Sequence, residues 1–100
     1  MMIEIEEGSE KTVVRPTFDI VASRVGDLRD AILNISARGG RMVVLDLAQV
    51  RVVDSMGIGV VVACLKTLKQ RGGDLQVSTD NADLIKLFRL LKLDYILTGP

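Results

Sequence analysis

The segment with the most pointed chemistry is Val50-Arg51-Val52-Val53-Asp54-Ser55-Met56-Gly57-Ile58-Gly59, where apolar residues lead into an acid, a hydroxyl and two glycines. Taken locally, Asp54 and Ser55 are both good N-cap residues, and glycines in a first helical turn permit close packing on a strand. Three catalytic patterns can be set against the same residues. A hydrolase nucleophile elbow needs glycine two positions before the serine, but position 53 is Val. The chain also contains no histidine, which removes a Ser-His pair, an imidazole base and any His-ligated metal. A dinucleotide fingerprint needs a third small residue where Val62 stands, and no Gly-x-x-x-x-Gly-Lys run occurs. No convergent acid-base set remains, so the chain reads as non-enzymatic and without a cofactor.

Composition narrows the class further. One hundred residues with 48% hydrophobic content suffice for one core without metal or disulfide staples, so a single domain over residues 1–100 is expected. Thirteen basic residues balance thirteen acidic ones and are interspersed, so no strong field draws nucleic acid or an anionic membrane. Cys64, the only cysteine, has no internal partner; it fits a reducing compartment and the role of a small buried hydrophobe. The longest apolar run, Ile58 to Leu65, is far short of the ~20 residues that span a bilayer. Glu4, Glu6 and Glu7 do not follow the basic-then-apolar order of a secretory signal, and the expected compartment is the cytoplasm.

The elements that must position Ser55 follow from periodicity. Ile3 and Ile5 alternate with Glu4 and Glu6, and Thr12-Val13-Val14-Arg15 stops at Pro16, which together predict an edge hairpin. Val25, Leu28, Ile32 and Ile35 recur at helical spacing, with Ser23 as N-cap and Arg38-Gly39-Gly40 as the stop. Met42 to Leu47 predicts a central strand covered on both faces. Ser55 to Gln70 is a second helix, closed by Arg71-Gly72-Gly73 with the same C-cap chemistry as the first. Leu75 and Val77 mark another strand, and Asp80 with Asp83 opens a third helix bearing Leu84, Leu87, Phe88 and Leu91 on one face. Tyr95-Ile96-Leu97 is expected to add a last strand. The order is therefore ββαβαβα, an α/β domain whose mixed sheet joins an antiparallel hairpin to parallel strands.

The second helix is more apolar than a half-exposed helix requires. Ile58, Val61, Val62, Leu65 and Leu68 form one stripe at core spacing, and Met56, Val60, Ala63 and Cys64 form another. Either a neighbouring helix covers the second stripe, or it is a partner-protein surface beside the serine.

Val44-Leu45-Asp46-Leu47, followed by Val53-Asp54-Ser55-Met56-Gly57-Ile58-Gly59, resembles the signature of STAS domains in bacterial anti-sigma factor antagonists. In that pattern an apolar strand ends in Asp-Leu, and Asp-Ser-small-Gly-Leu/Ile-Gly then opens a helix. The resemblance extends from about Val13 to Leu97 and takes in Leu28-Arg29 and Leu87-Phe88. It implies a binding module that cycles between partners. The unphosphorylated form binds an anti-sigma factor that is also a serine kinase of the histidine-kinase-like ATPase fold. Phosphorylation of the motif serine, here Ser55, releases it, and a metal-dependent serine phosphatase restores it. By position, Asp54, Ser55, Met56, Gly57, Ile58, Gly59 and Val60 are the expected partner-binding residues, and the bare glycines should let a kinase reach the hydroxyl. Two features depart from the family. Met56 stands where Ser, Thr or Ala is usual, and Pro16-Thr17-Phe18-Asp19 lacks the usual glycine before Leu/Ile-Asp, with Asp19 as the matching acid and a further contact. A STAS subunit of a stress-signalling or transporter assembly, with Ser55 unmodified, is the alternative expectation.

Overall fold

The computed structural model describes residues 3–98. Four strands form one sheet in the order β1 (Ile3–Glu7), β2 (Thr12–Pro16), β3 (Met42–Asp46) and β4 (Asp74–Ser78). The first pair is antiparallel, with Ile5 opposite Val14, and the other pairs are parallel. Three helices, α1 (Val25–Ala37), α2 (Ser55–Gln70) and α3 (Ala82–Leu90), complete the α/β order. Pro16 closes β2 opposite Ile3, so its missing N–H falls at the end of the ladder.

The sheet has one covered face. Val14, Val43, Leu45, Leu75 and Val77 are buried there with Leu28 and Ile32 of α1, Val61, Leu65 and Leu68 of α2, and Phe88 of α3. The opposite face is half open, which corrects the expectation that β3 is covered on both sides. Burial alternates along β3, and Asp46 stands on the open face beside Arg15, whose Nε donates to Asp46 Oδ2 at 2.9 Å. Arg15 also faces Glu4 and Glu6, at 3.5 and 3.8 Å. Short apolar runs do not distinguish a strand buried on both faces from one with an ion-paired outer row. Ile5 shares the covered face but is 43% exposed, because β1 is the edge strand and the helices do not reach over it.

Three further expectations are corrected at element ends. Ser23 does not cap α1; it lies in a turn whose Val21 carbonyl accepts from Arg24 N and Val25 N at 2.8 and 3.0 Å, and the helix begins only at Val25. Asp80 does not cap α3. Asn81 does, accepting from Asp83 N and Leu84 N at 2.9 and 3.2 Å. The third segment, Tyr95-Ile96-Leu97, is not a strand. Asp94–Ile96 is a short 3-10 helix that drops Ile96 into the core, and only Leu97 bridges Val77.

The C-caps behave as expected and extend to all three helices. Gly40 N donates to Ile35 O and Gly39 N to Ser36 O, and Gly73 N and Gly72 N repeat the pattern on Leu68 O and Lys69 O. Leu93 N on Phe88 O and Lys92 N on Arg89 O make the third. The left-handed residue is glycine in the first two, at φ 94° and 81°, but Lys92 in the third, at 58°. A side chain in that region costs about 1 kcal/mol relative to glycine.

Candidate functional site

Ser55 is the first residue of α2. Its position is fixed by two loops that the structure stitches together, residues 17–24 after β2 and 47–54 after β3. Ile20 N donates to Val52 O at 3.0 Å and Asp54 N to Ile20 O at 3.1 Å, a parallel bridge between Ile20 and Val53. Asp19 Oδ1 accepts from Arg51 N and Val52 N at 2.9 and 3.2 Å. The acid expected as a partner contact thus holds the neighbouring loop in place.

Asp54 is the N-cap. One carboxylate oxygen accepts from Gly57 N at 2.8 Å, and the other from Ala22 N at 3.0 Å, so a single side chain starts the helix and ties it to the loop after β2. Ser55 is thereby freed from capping. Its side chain is exposed and makes no hydrogen bond among the described residues. It lies where first-turn N–H groups and the helix dipole favour added negative charge.

The two glycines have different reasons. A Cβ on Gly57 would fall on the Ile20 carbonyl oxygen and within 3.0 Å of Ile20 Cγ2 and Val53 Cγ1, so glycine is required by the close approach of α2 to the bridge. At Gly59 a Cβ would meet nothing within 4 Å. Glycine is unfavourable in a helix interior, so Gly59→Ala is expected to raise stability by about 0.5–1 kcal/mol, read as a higher Tm. The added methyl stands one turn from Ser55. If that surface admits a partner, the same variant should be modified at Ser55 more slowly; a stabilised variant modified at the wild-type rate would show that bareness at Gly59 serves no approach.

The apolar stripes of α2 divide differently from their expected pattern. Cys64 belongs to the core with Val61, Leu65 and Leu68, and Val60 and Ile58 pack against it, partly buried. Burial pushes the Cys64 thiol up to about 11, and Arg29 pulls only weakly the other way, so it stays protonated and inert. What remains outward around Ser55 is Met56, 56% exposed, with Gly59 and Ala63. Val52, at 49%, joins them from the preceding loop. It was not legible beforehand because Val52-Val53 reads as one apolar pair, whereas only Val53 turns inward. Among the described residues, no group of three His, Cys, Asp or Glu could hold a metal ion, and no helix is long and apolar enough to cross a membrane.

The STAS domain model matches residues 2–99, and the chain belongs to the STAS domain family. The same fold occurs in the anti-sigma factor antagonist SpoIIAA in its unphosphorylated form, with a TM-score of 0.84 at 18% identity over 98% of this chain and 87% of that one. It also occurs in the phosphorylated form of SpoIIAA, the Bacillus cell fate determinant, with a TM-score of 0.78 at 18% identity over 98% and 90% of the two chains. An anti-sigma factor antagonist from Mycobacterium paratuberculosis is similar with a TM-score of 0.85 at 22% identity, over 98% and 85%.

Proposed function

We propose that this STAS domain is an anti-sigma factor antagonist working by partner switching in the cytoplasm, without catalytic activity of its own. Unphosphorylated, it docks through the Ser55 end of α2 onto an anti-sigma factor that is also a serine kinase of the histidine-kinase-like ATPase fold. Phosphate on Ser55 ends that contact, and a metal-dependent serine phosphatase restores it. The observation that carries this reading is the exposed, unbonded Ser55 hydroxyl at the first position of α2, beside an Asp54 carboxylate already engaged in capping. Kinase approach requires such an accessible hydroxyl, and Val52, Met56 and Gly59 give its rim an apolar and unencumbered surface.

The modification adds roughly −1.5 to −2 charges and three acceptor oxygens. In the free domain, water and the helix dipole accommodate them. Against a docked protein they meet Asp54 with less water between, where like-charge repulsion is stronger. Release then needs no refolding.

The test is incubation with Mg-ATP and any serine kinase of the histidine-kinase-like ATPase fold found encoded near this chain's gene. Wild type is expected to gain one phosphate and Ser55→Ala none. A wild type that gains no phosphate would instead favour a STAS subunit of a stress-signalling or transporter assembly, and equal labelling of Ser55→Ala would place the acceptor elsewhere.

A further inference from the structure

The two edges of the sheet differ. The outer side of β4 is met by the segment after α3, where Thr98 N donates to Val77 O at 2.8 Å and Leu97 bridges Val77. The outer side of β1 meets no backbone partner among the described residues. Which groups it presents follows from the hairpin. Gly8 N donates to Lys11 O at 2.9 Å, and Pro16, which has no N–H, stands opposite Ile3. Antiparallel pairs alternate between bonded and non-bonded, so Glu4 and Glu6 carry the bonds to β2 while Ile3, Ile5 and Glu7 turn their N–H and C=O groups outward. The side chains sort with them. Ile5 is 43% exposed on the helix side of this edge, and Glu4 and Glu6 stand on the open face. There Arg15 is shared among three carboxylates, bonded most closely to Asp46 at 2.9 Å and only at 3.5 and 3.8 Å to Glu4 and Glu6. The row is left with an excess of negative charge.

We propose that the free edge of β1 takes up, as an added strand, an extended segment of a partner protein in which basic and apolar residues alternate. The backbone groups of Ile3, Ile5 and Glu7 supply the ladder, the basic row lies beside Glu4 and Glu6, and the apolar row covers Ile5 on the other face. A second copy of this chain suits the edge less. Pairing β1 with itself about Ile5 sets Glu4 of each copy opposite Glu6 of the other, and like charges directly opposite are destabilising. Charges on an edge strand guard it against self-association, and the same charges favour a strand of opposite sign. Arg15 and Arg38, the cations paired with this strand, do not cancel that preference, because each is already bonded to an acid.

The probe is a fluorescein-labelled peptide of alternating lysine and valine, followed by anisotropy against the whole chain. Saturable binding is expected, with none for the matching glutamate and valine peptide. Ile5→Pro removes an outward N–H, leaves every charge in place and spares the bonds to β2; it should weaken binding more than about tenfold while Tm falls by no more than about 5 °C. Glu4→Gln combined with Glu6→Gln should also weaken binding about tenfold, with the backbone edge intact. Ser55→Asp should leave it unchanged, separating this edge from the phosphoacceptor. The proposal is overturned if the lysine peptide does not bind saturably, or if folded Ile5→Pro binds it as wild type does, which would mean attraction to acidic surface alone. It is equally overturned if the double glutamine variant binds as wild type does, or if the chain by itself sediments as a dimer that Ile5→Pro dissociates.

Discussion

Gly57→Ala is expected to destabilise the domain by about 3 kcal/mol, with a fall in Tm of about 15 °C, although alanine is the better helix former. The new methyl would lie against the Ile20 carbonyl oxygen, Ile20 Cγ2 and Val53 Cγ1. A flexible side-chain tip could move aside, but here the obstacle is backbone, held by the Ile20 N to Val52 O and Asp54 N to Ile20 O bonds. Either α2 lifts away from the bridge or the bridge opens, and both disturb the platform that presents Ser55. Denaturant melts of Gly57→Ala and Gly59→Ala make an internal control, since the same chemical change two residues apart should move stability in opposite directions. A neutral Gly57→Ala would refute the packing account of this motif.

If the domain switches partners as proposed, Ser55→Asp is expected to weaken binding to the proposed anti-sigma kinase more than about a hundredfold, the equivalent of about 3 kcal/mol, with fold stability changed by no more than about 1 kcal/mol. Stability survives although residue 55 is not the N-cap. Asp54 holds that role, and an acid at position 55 sits in the first turn, where the dipole favours it while Asp54 opposes it. The two effects offset one another in the free domain. In the complex, water that solvated the added charge is displaced, and the cost of that desolvation, together with repulsion from any partner carboxylates, is not offset by the helix dipole. Isothermal titration against the kinase, with Ser55→Ala as the uncharged control, separates charge from loss of the hydroxyl. Wild-type affinity in Ser55→Asp would contradict electrostatic release.

Much of the molecule was legible because local signals agreed with the tertiary result. The bounds of α2, Ser55 to Gln70, follow from the acid and serine before an apolar period and the Arg-Gly-Gly after it. The glycines at 39 and 72 do have positive φ, and the helical spacing of Val25, Leu28, Ile32 and Ile35 does mark the buried face of α1. Where sequence misled, two residues competed for one local role. Asp80 with Asp83 has capping spacing, but Asn81 is the residue aligned with the first turn of α3. Tyr95-Ile96-Leu97 is β-prone, yet burying Ile96 against the core takes a 3-10 turn, and the segment meets β4 at one residue.

By itself the sequence determined the order of elements, the helix stops and the uncommon acid-serine-glycine opening of α2, because each depends on contacts within a few residues. Tertiary structure alone decided that Asp19 and Asp54 clamp two loops into one platform, that Gly57 and Gly59 exist for different reasons, and that Val52 turns out while Val53 turns in. Those outcomes depend on which backbone passes within a few ångströms of which side chain, and residues 32 positions apart, such as Ala22 and Asp54, carry no mark of their meeting in the local pattern.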